Sequence, residues 1–165
     1  MQTRIPGFVI RFAEEKDAAL ILRFIKGLAE YEKLSREVTA TEEVLRETLF
    51  GSRQVAEVII GEYRGDAVAF ALFFHNYSTF LGRPGMYLED LFVKPEMRSR
   101  GFGKALLAFL AKLATERKCG RVEWSVLDWN TPAIRFYQKL GAVTMDEWTV
   151  HRLTGEALAR LAAEF

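Results

Sequence analysis

One cysteine and two histidines leave this 165-residue chain little scope for disulfide or metal chemistry. Cys119 alone cannot form an intrachain bridge, and His75 and His151 have no partners at zinc-ligand spacing. Proline is scarce at 4 residues, and no linker-like segment, internal repeat or low-complexity tract divides the sequence. A single domain over 1–165 is therefore expected. No apolar run approaches the ~20 residues of a membrane span, and the opening MQTRIPGFVIRFAEE lacks the apolar segment of a secretory signal. A cytoplasmic protein is the default expectation. Charge is balanced, 23 basic against 22 acidic residues, so no global field favours nucleic acid or an anionic membrane.

What is present is periodic apolar pattern. Phe8–Phe12 reads as a strand, and Ile21, Phe24, Ile25 and Leu28 recur at the i, i+3, i+4, i+7 spacing of a buried helix face over about 17–34. Asp17 or Glu14 can cap that helix. A second helix opens at Thr41 and stops at Gly51. Residues 54–62 and 67–75 read as an antiparallel hairpin, followed by a polar loop over 76–85. Residues 86–93 form a strand apolar on both faces. A helix over about 101–118 then leads to the strand-like run 121–127, a β-α-β unit whose strands should be parallel. Asn130 or Thr131 can cap a short helix over 133–140, and two strand-like pieces, 142–145 and 148–153, precede a last helix from Thr154. The order β-α-α-β-β-β-α-β-α-β-β belongs to the α/β class, a mixed sheet with helices packed on it.

The stretch 86–104, MYLEDLFVKPEMRSRGFGK, concentrates the chemistry. Alternation puts Tyr87, Glu89, Leu91 and Val93 on one face and Leu88, Asp90 and Phe92 on the other. Acids do not belong in a doubly covered strand, because burying an unpaired carboxylate is costly. Glu89 and Asp90 are either paired near a strand end or poised to take a proton or hold a cation. After Pro95 comes Arg98-Ser99-Arg100-Gly101-Phe102-Gly103-Lys104, either a charged helix start or an anchor for a pyrophosphate, with glycines admitting a ligand to the backbone. Neither dinucleotide spacing nor a P-loop is present. Glu32, at a helix C-terminus, is a solvated acid or a ligand contact. Tyr77 and Phe80 either rim a pocket or pack on the body, and Tyr137, on one face with Ala133, is a core residue or a functional one.

The strings YLEDLFVKPEMRSRGFGKALL and NTPAIRFYQKLGA together resemble two motifs of the GCN5-related N-acetyltransferase superfamily. AEYEKL, YLED and VLDWN bring the chain nearer the small-amine branch, the diamine (spermidine/spermine) and thialysine N-acetyltransferases. The resemblance implies a mostly antiparallel mixed sheet splayed between two parallel strands. It implies acetyl-CoA as cofactor, with the pantetheine arm on the backbone of Leu91, Phe92 and Val93. Pyrophosphate would lie on the loop from Arg98 through Ser99, Arg100, Gly101, Phe102 and Gly103 to Lys104, helped by the Arg98 side chain, and Asn130, Ala133 and Tyr137 would meet the cofactor from the other side. Glu89 would be the base and Tyr137 the acid in a direct transfer without metal. Tyr31, Glu32, Asp90, Tyr77 and Phe80 would contact a small cationic amine, and the branch implies a homodimer. Ser78 and Phe80 depart from its usual acid and Trp, which tilts the acceptor toward thialysine or a short diamine. The competing readings are acetylation of a protein N-terminus or lysine, and a catalytically silent coenzyme A binding module.

Overall fold

A computed structural model describes residues 1–165, in two compact units, Met1–Ser125 and Val126–Phe165. The first contains a five-stranded sheet in the order β1-β2-β3-β4-β5, where β1 is Phe8–Phe12, β2 Glu57–Tyr63, β3 Asp66–Ser78, β4 Arg83–Val93 and β5 Val122–Trp124. Pairing is antiparallel from β1 through β4 and parallel between β4 and β5. The mixed, mostly antiparallel sheet expected from the element order is thus present, including the parallel β-α-β unit.

Helix α1, Ala18–Tyr31, and α2, Glu42–Phe50, cover one face. Ile21 and Phe24 of α1 and Leu45 and Leu49 of α2 form a buried cluster with Val58, Phe70 and Phe92 from three consecutive strands. The Phe24 and Phe70 rings stack at 5.2 Å. A Cβ on Gly27 would fall 2.9 Å from the Phe92 ring, so this glycine is what lets α1 lie against β4. Helix α3, Phe102–Glu116, covers the other face, its Phe102 stacked on Phe8 at 4.2 Å.

Local signals explain most boundaries. Arg64 and Gly65, at φ 55° and 92°, make the β2–β3 connection a turn with two left-handed residues, matched to the twist of a hairpin. Thr41 Oγ1 accepts the Val44 N–H at 3.3 Å and caps α2. At the entrance to α1, Asp17 accepts the Glu14 N–H at 2.8 Å and takes both Nη groups of Arg11 at 2.6 and 2.9 Å, while Arg11 Nε bonds Glu62 at 2.7 Å. The Arg11 guanidinium holds the Asp17 carboxyl below its ordinary value of 3.8. The stabilisation from this ion pair is therefore full above that value and is lost as pH falls through the lower folded one. Asp17→Ala is expected to destabilise the fold by about 1–3 kcal/mol at pH 7, with a smaller difference at pH 3 in urea titrations.

Three expectations are corrected. The loop over 76–85 is mostly strand: β3 and β4 pair up to Ser78 with Arg83, so only 79–82 turn, with Gly82 left-handed and Ser78 Oγ accepting the Leu81 N–H at 3.3 Å. Strand 121–127 shrinks to three residues. Segments 142–145 and 148–153 are not strands in this chain; their alternation is strand-like, but no ladder partner supplies the hydrogen bonds that a strand needs. The second unit holds α4, Thr131–Lys139, and α5, Gly155–Ala162, with Val143, Trp148 and Val150 more than 70% exposed.

Candidate active site

The parallel pair is short. Met86, Tyr87 and Leu88 face Val122, Glu123 and Trp124, and there the ladder ends, whereas β4 runs on to Val93 against β3 alone. From Glu89 to Val93 the side of β4 turned toward β5 has no strand partner, so its N–H and C=O groups form an open edge. Two contacts fix where the strands part. Asn76 Nδ2 donates to Glu123 at 2.9 Å, with Arg121 on the same carboxylate at 2.8 Å, and further along Tyr87 Oη and Ser125 Oγ share a hydrogen bond of 2.7 Å.

The open edge begins at a β-bulge. Asp90 lies opposite Leu72 but Leu88 lies opposite Phe73, which leaves Glu89 as the extra residue. Alternation therefore changes phase. Leu88 and Asp90, expected on one face, have cross-strand partners on opposite faces, while Asp90 keeps the face expected for it with Phe92. Glu89 is exposed and Asp90 is largely covered. Burial, then the charges of Glu89 and Glu32, push the Asp90 carboxyl up to about 6. Burial also raises Glu32, the residue that ends α1. Glu32, from α1, and Asp90, from β4, thus lie within electrostatic reach of one another.

Beyond β4 the chain turns through Pro95–Met97 to the start of α3. Ser99 at φ 62° and Gly101 at φ 83° are both left-handed. At Gly101 a side chain would be strained and would press on Ile5 Cδ1 at 3.3 Å. The first-turn N–H groups of α3 are left without intrahelical acceptors, and that turn carries no acid. Ser99, Arg100 and Lys104 are exposed, and Gly103 packs beside Leu91 and Val93. The Phe102 side chain is core, leaving only its backbone to a ligand. Arg98 is half-buried. Its Nε donates to the Val93 carbonyl at 3.1 Å and its guanidinium lies 4.3 Å from the Tyr31 ring centre and 5.8 Å from that of Phe92.

Tyr77 and Phe80 are not brought to these acids within the chain. They lie at the tip of the β3–β4 hairpin, 61% and 93% exposed, and Arg83, opposite Ser78, is seven residues before Asp90, roughly 23 Å along a strand. Sequence reasoning missed Tyr87, which the bulge sets on the same face as Asp90, packed against Phe74 at 5.2 Å between ring centres. Two adjacent polar residues breaking an apolar alternation were the only sign of that bulge.

In the second unit, Asn130 caps α4, its Oδ1 accepting the Ala133 N–H at 3.4 Å. Ala133 and Tyr137 follow at a four-residue interval on one face, and Tyr137 packs beside Phe136 at 5.4 Å between ring centres. Asn130 is buried and Tyr137 half-buried.

An open strand edge leading to an anion-binding helix start suits an extended ligand with amide groups at one end and phosphates at the other. Acetyl-CoA fits this donor set: its pantetheine amides match the β4 edge and its pyrophosphate matches a turn with N–H donors and no acid. The acetyltransferase (GNAT) family profile matches residues 25–142. The chain is 41% identical to a thialysine N-epsilon-acetyltransferase of Bos taurus over 167 aligned residues, covering 94% of this chain and 98% of that one. An L-ornithine N5-acetyltransferase of Arabidopsis thaliana is 36% identical, with 90% and 85% covered. Among solved structures, an integron cassette protein from the mobile metagenome of V. cholerae superposes with TM-score 0.80 at 24% identity, covering 94% and 98%. The chain belongs to the acetyltransferase (GNAT) family, in the small-amine branch with the thialysine and spermidine/spermine enzymes. Its general activity is acetyl-CoA-dependent acetyl transfer.

Proposed function

We propose that residues 1–165 act as one N-acetyltransferase domain that moves acetyl to a primary amine of a small cationic metabolite, a thialysine-like amino acid or a diamine. The observation that carries this reading is the covered Asp90 beside Glu32 at the head of the open β4 edge. A site with two carboxylates whose ionisation is opposed by burial gains most from a cationic ligand. The relatives named for thialysine and L-ornithine support the same acceptor class.

Bound acetyl-CoA supplies the activated acetyl group. The backbone of Leu91, Phe92 and Val93 holds its pantetheine arm, and the N–H groups of the 98–104 loop hold its pyrophosphate. Asn130 and Ala133 contact it as well. Glu89, exposed at the bulge, takes the ammonium proton through water, since only the neutral amine is nucleophilic. Tyr137 donates its phenolic proton to the departing sulfur. Glu32, Asp90 and Tyr31 bind the rest of the acceptor, and Tyr87 and Phe74 give its methylenes an apolar surface. The chain works as a homodimer in the cytoplasm. No helix is long and apolar enough to cross a membrane, and the exposed Tyr77, Phe80 and Leu81 at the hairpin tip suit a second copy.

The test is coenzyme A release from acetyl-CoA with thialysine, L-ornithine, lysine, putrescine, spermidine, spermine, an aminoglycoside and a basic peptide. Turnover on the small diamino compounds is expected, reduced about 10²-fold or more in Glu89→Gln. Turnover on the peptide alone would transfer the activity to protein acetylation. Coenzyme A binding without turnover of any amine would leave a silent binding module.

A further inference from the structure

Arg98 heads the loop proposed to hold the coenzyme, and its half-buried side chain has partners within the protein. It spans from the Val93 carbonyl, 3.1 Å from Nε, to the face of Tyr31, 4.3 Å from Cζ, with Phe92 on its other flank at 5.8 Å. Tyr31 is the last residue of α1 and precedes Glu32, so one guanidinium bridges the coenzyme loop and the helix end that carries the acceptor acid.

Both ends of this bridge lie next to left-handed backbone. Ser99 follows Arg98 at φ 62°, and Lys33, two residues after Tyr31, ends α1 at φ 63°. Left-handed non-glycine residues persist only where neighbouring contacts over-determine them. Leu34 N–H to Ala29 O, at 2.8 Å, closes the helix end. The Arg98 contacts join that end to the loop.

We propose that Arg98 is a positioning residue, a latch that makes the coenzyme loop and the acceptor end of α1 order one another, so that coenzyme A and the amine each raise the affinity for the other. The proposal rests on the acceptor site assigned above. An effect at one site reaches the other only through an element that both sites bias. The latch is that element: a ligand that orders the loop fixes the guanidinium, which holds the Tyr31 ring and with it Glu32. Lysine cannot replace it, because an ammonium lacks the planar face that lies on the ring while its edge reaches a carbonyl.

The experiment is calorimetric titration of coenzyme A, alone and with saturating thialysine or putrescine, into wild type, Arg98→Lys, Tyr31→Leu, Tyr31→Phe and the Arg98→Lys/Tyr31→Leu double variant. Arg98→Lys and Tyr31→Leu are each expected to weaken coenzyme A binding about fivefold, the scale of one partly desolvated cation–π contact. Both should abolish the tightening by amine. The double variant should be no worse than either single one, and Tyr31→Phe, which keeps the ring face, should keep the wild-type affinity for coenzyme A in the titration without amine. Additive losses, or a Tyr31→Leu protein with unchanged coenzyme A affinity, would overturn the latch. Equal losses in Tyr31→Phe and Tyr31→Leu would overturn it too, by shifting the effect to the hydroxyl. Direct titration of each amine separates the two ideas: a protein that binds neither amine yet loses coenzyme A affinity in Arg98→Lys and Tyr31→Leu would sink the acceptor assignment and keep the ordering of loop and helix end, whereas one that binds an amine without tightening coenzyme A would sink the latch.

Discussion

Tyr137→Phe is expected to lower kcat by about 10²–10⁴-fold, the range for loss of a positioned proton donor, while the Kd for coenzyme A stays within a few-fold. The split follows from what the substitution removes. Phenylalanine keeps the ring that packs beside Phe136 and leaves the Asn130 cap and the Ala133 face of α4 unchanged. Helix and fold should therefore survive, and a thermal melt should overlay that of the wild type. The phenolic hydroxyl is lost, so the sulfur must leave as a thiolate or find its proton in water. Rapid-quench measurement of the acetylated amine in a single turnover checks the effect on the chemical step apart from product release. Wild-type kcat in this variant would remove Tyr137 as the acid.

Asp90→Asn changes two properties in opposite directions. Losing one partner of a largely covered charge contact costs about 2–5 kcal/mol, so KM for a dicationic amine rises about 30-fold or more, and more than for a monocationic one. Stability moves the other way. The folded carboxyl titrates at about 6, above its ordinary 3.8. The fold therefore favours the neutral acid, an advantage present below 3.8 and lost as pH rises through about 6. At pH 7.5 the ionised Asp90 is a burden, and asparagine should raise stability by on the order of 1–2 kcal/mol. The same titration predicts that wild-type KM for the amine climbs as pH falls below about 6, with a flatter profile in the variant. A lower melting temperature for Asp90→Asn at pH 7.5, or unchanged KM, would contradict this account.

Local chemistry made the first two-thirds of the chain legible. The β1 boundaries, the Thr41 cap and the left-handed Arg64-Gly65 turn are set by residues within a few positions of one another, and the parallel pair follows from the strand-helix-strand order around α3. The motifs in 86–104 and 130–137 located most candidate site residues for the same reason. What could not be read depended on partners distant in sequence. Segments 142–145 and 148–153 have the alternation of strands, but alternation does not supply a neighbouring ladder. The hairpin arms extend past the turn-like composition of 76–85 because ten cross-strand pairs along β3 and β4 override it. The contacts of the Arg98 side chain within the protein were equally out of reach. Its position over Tyr31 comes from the approach of α1 to β4, which Gly27 permits and no local pattern announces.

The bulge at Glu89 also has a consequence for how the gene can change. It acts as a parity mark: one residue more or less between it and Val93 would exchange the roles of both faces, sending Phe92 toward α3 and Leu91 toward α1. Strand β4 can accept substitutions at many positions and length changes at almost none. The exposed turn at 79–82, beyond the last cross-strand pair, bears no such constraint. Variation in chain length should therefore collect at the hairpin tip, leaving the distance from Asp90 to the coenzyme loop as a fixed ruler on which different acceptor pockets can be built.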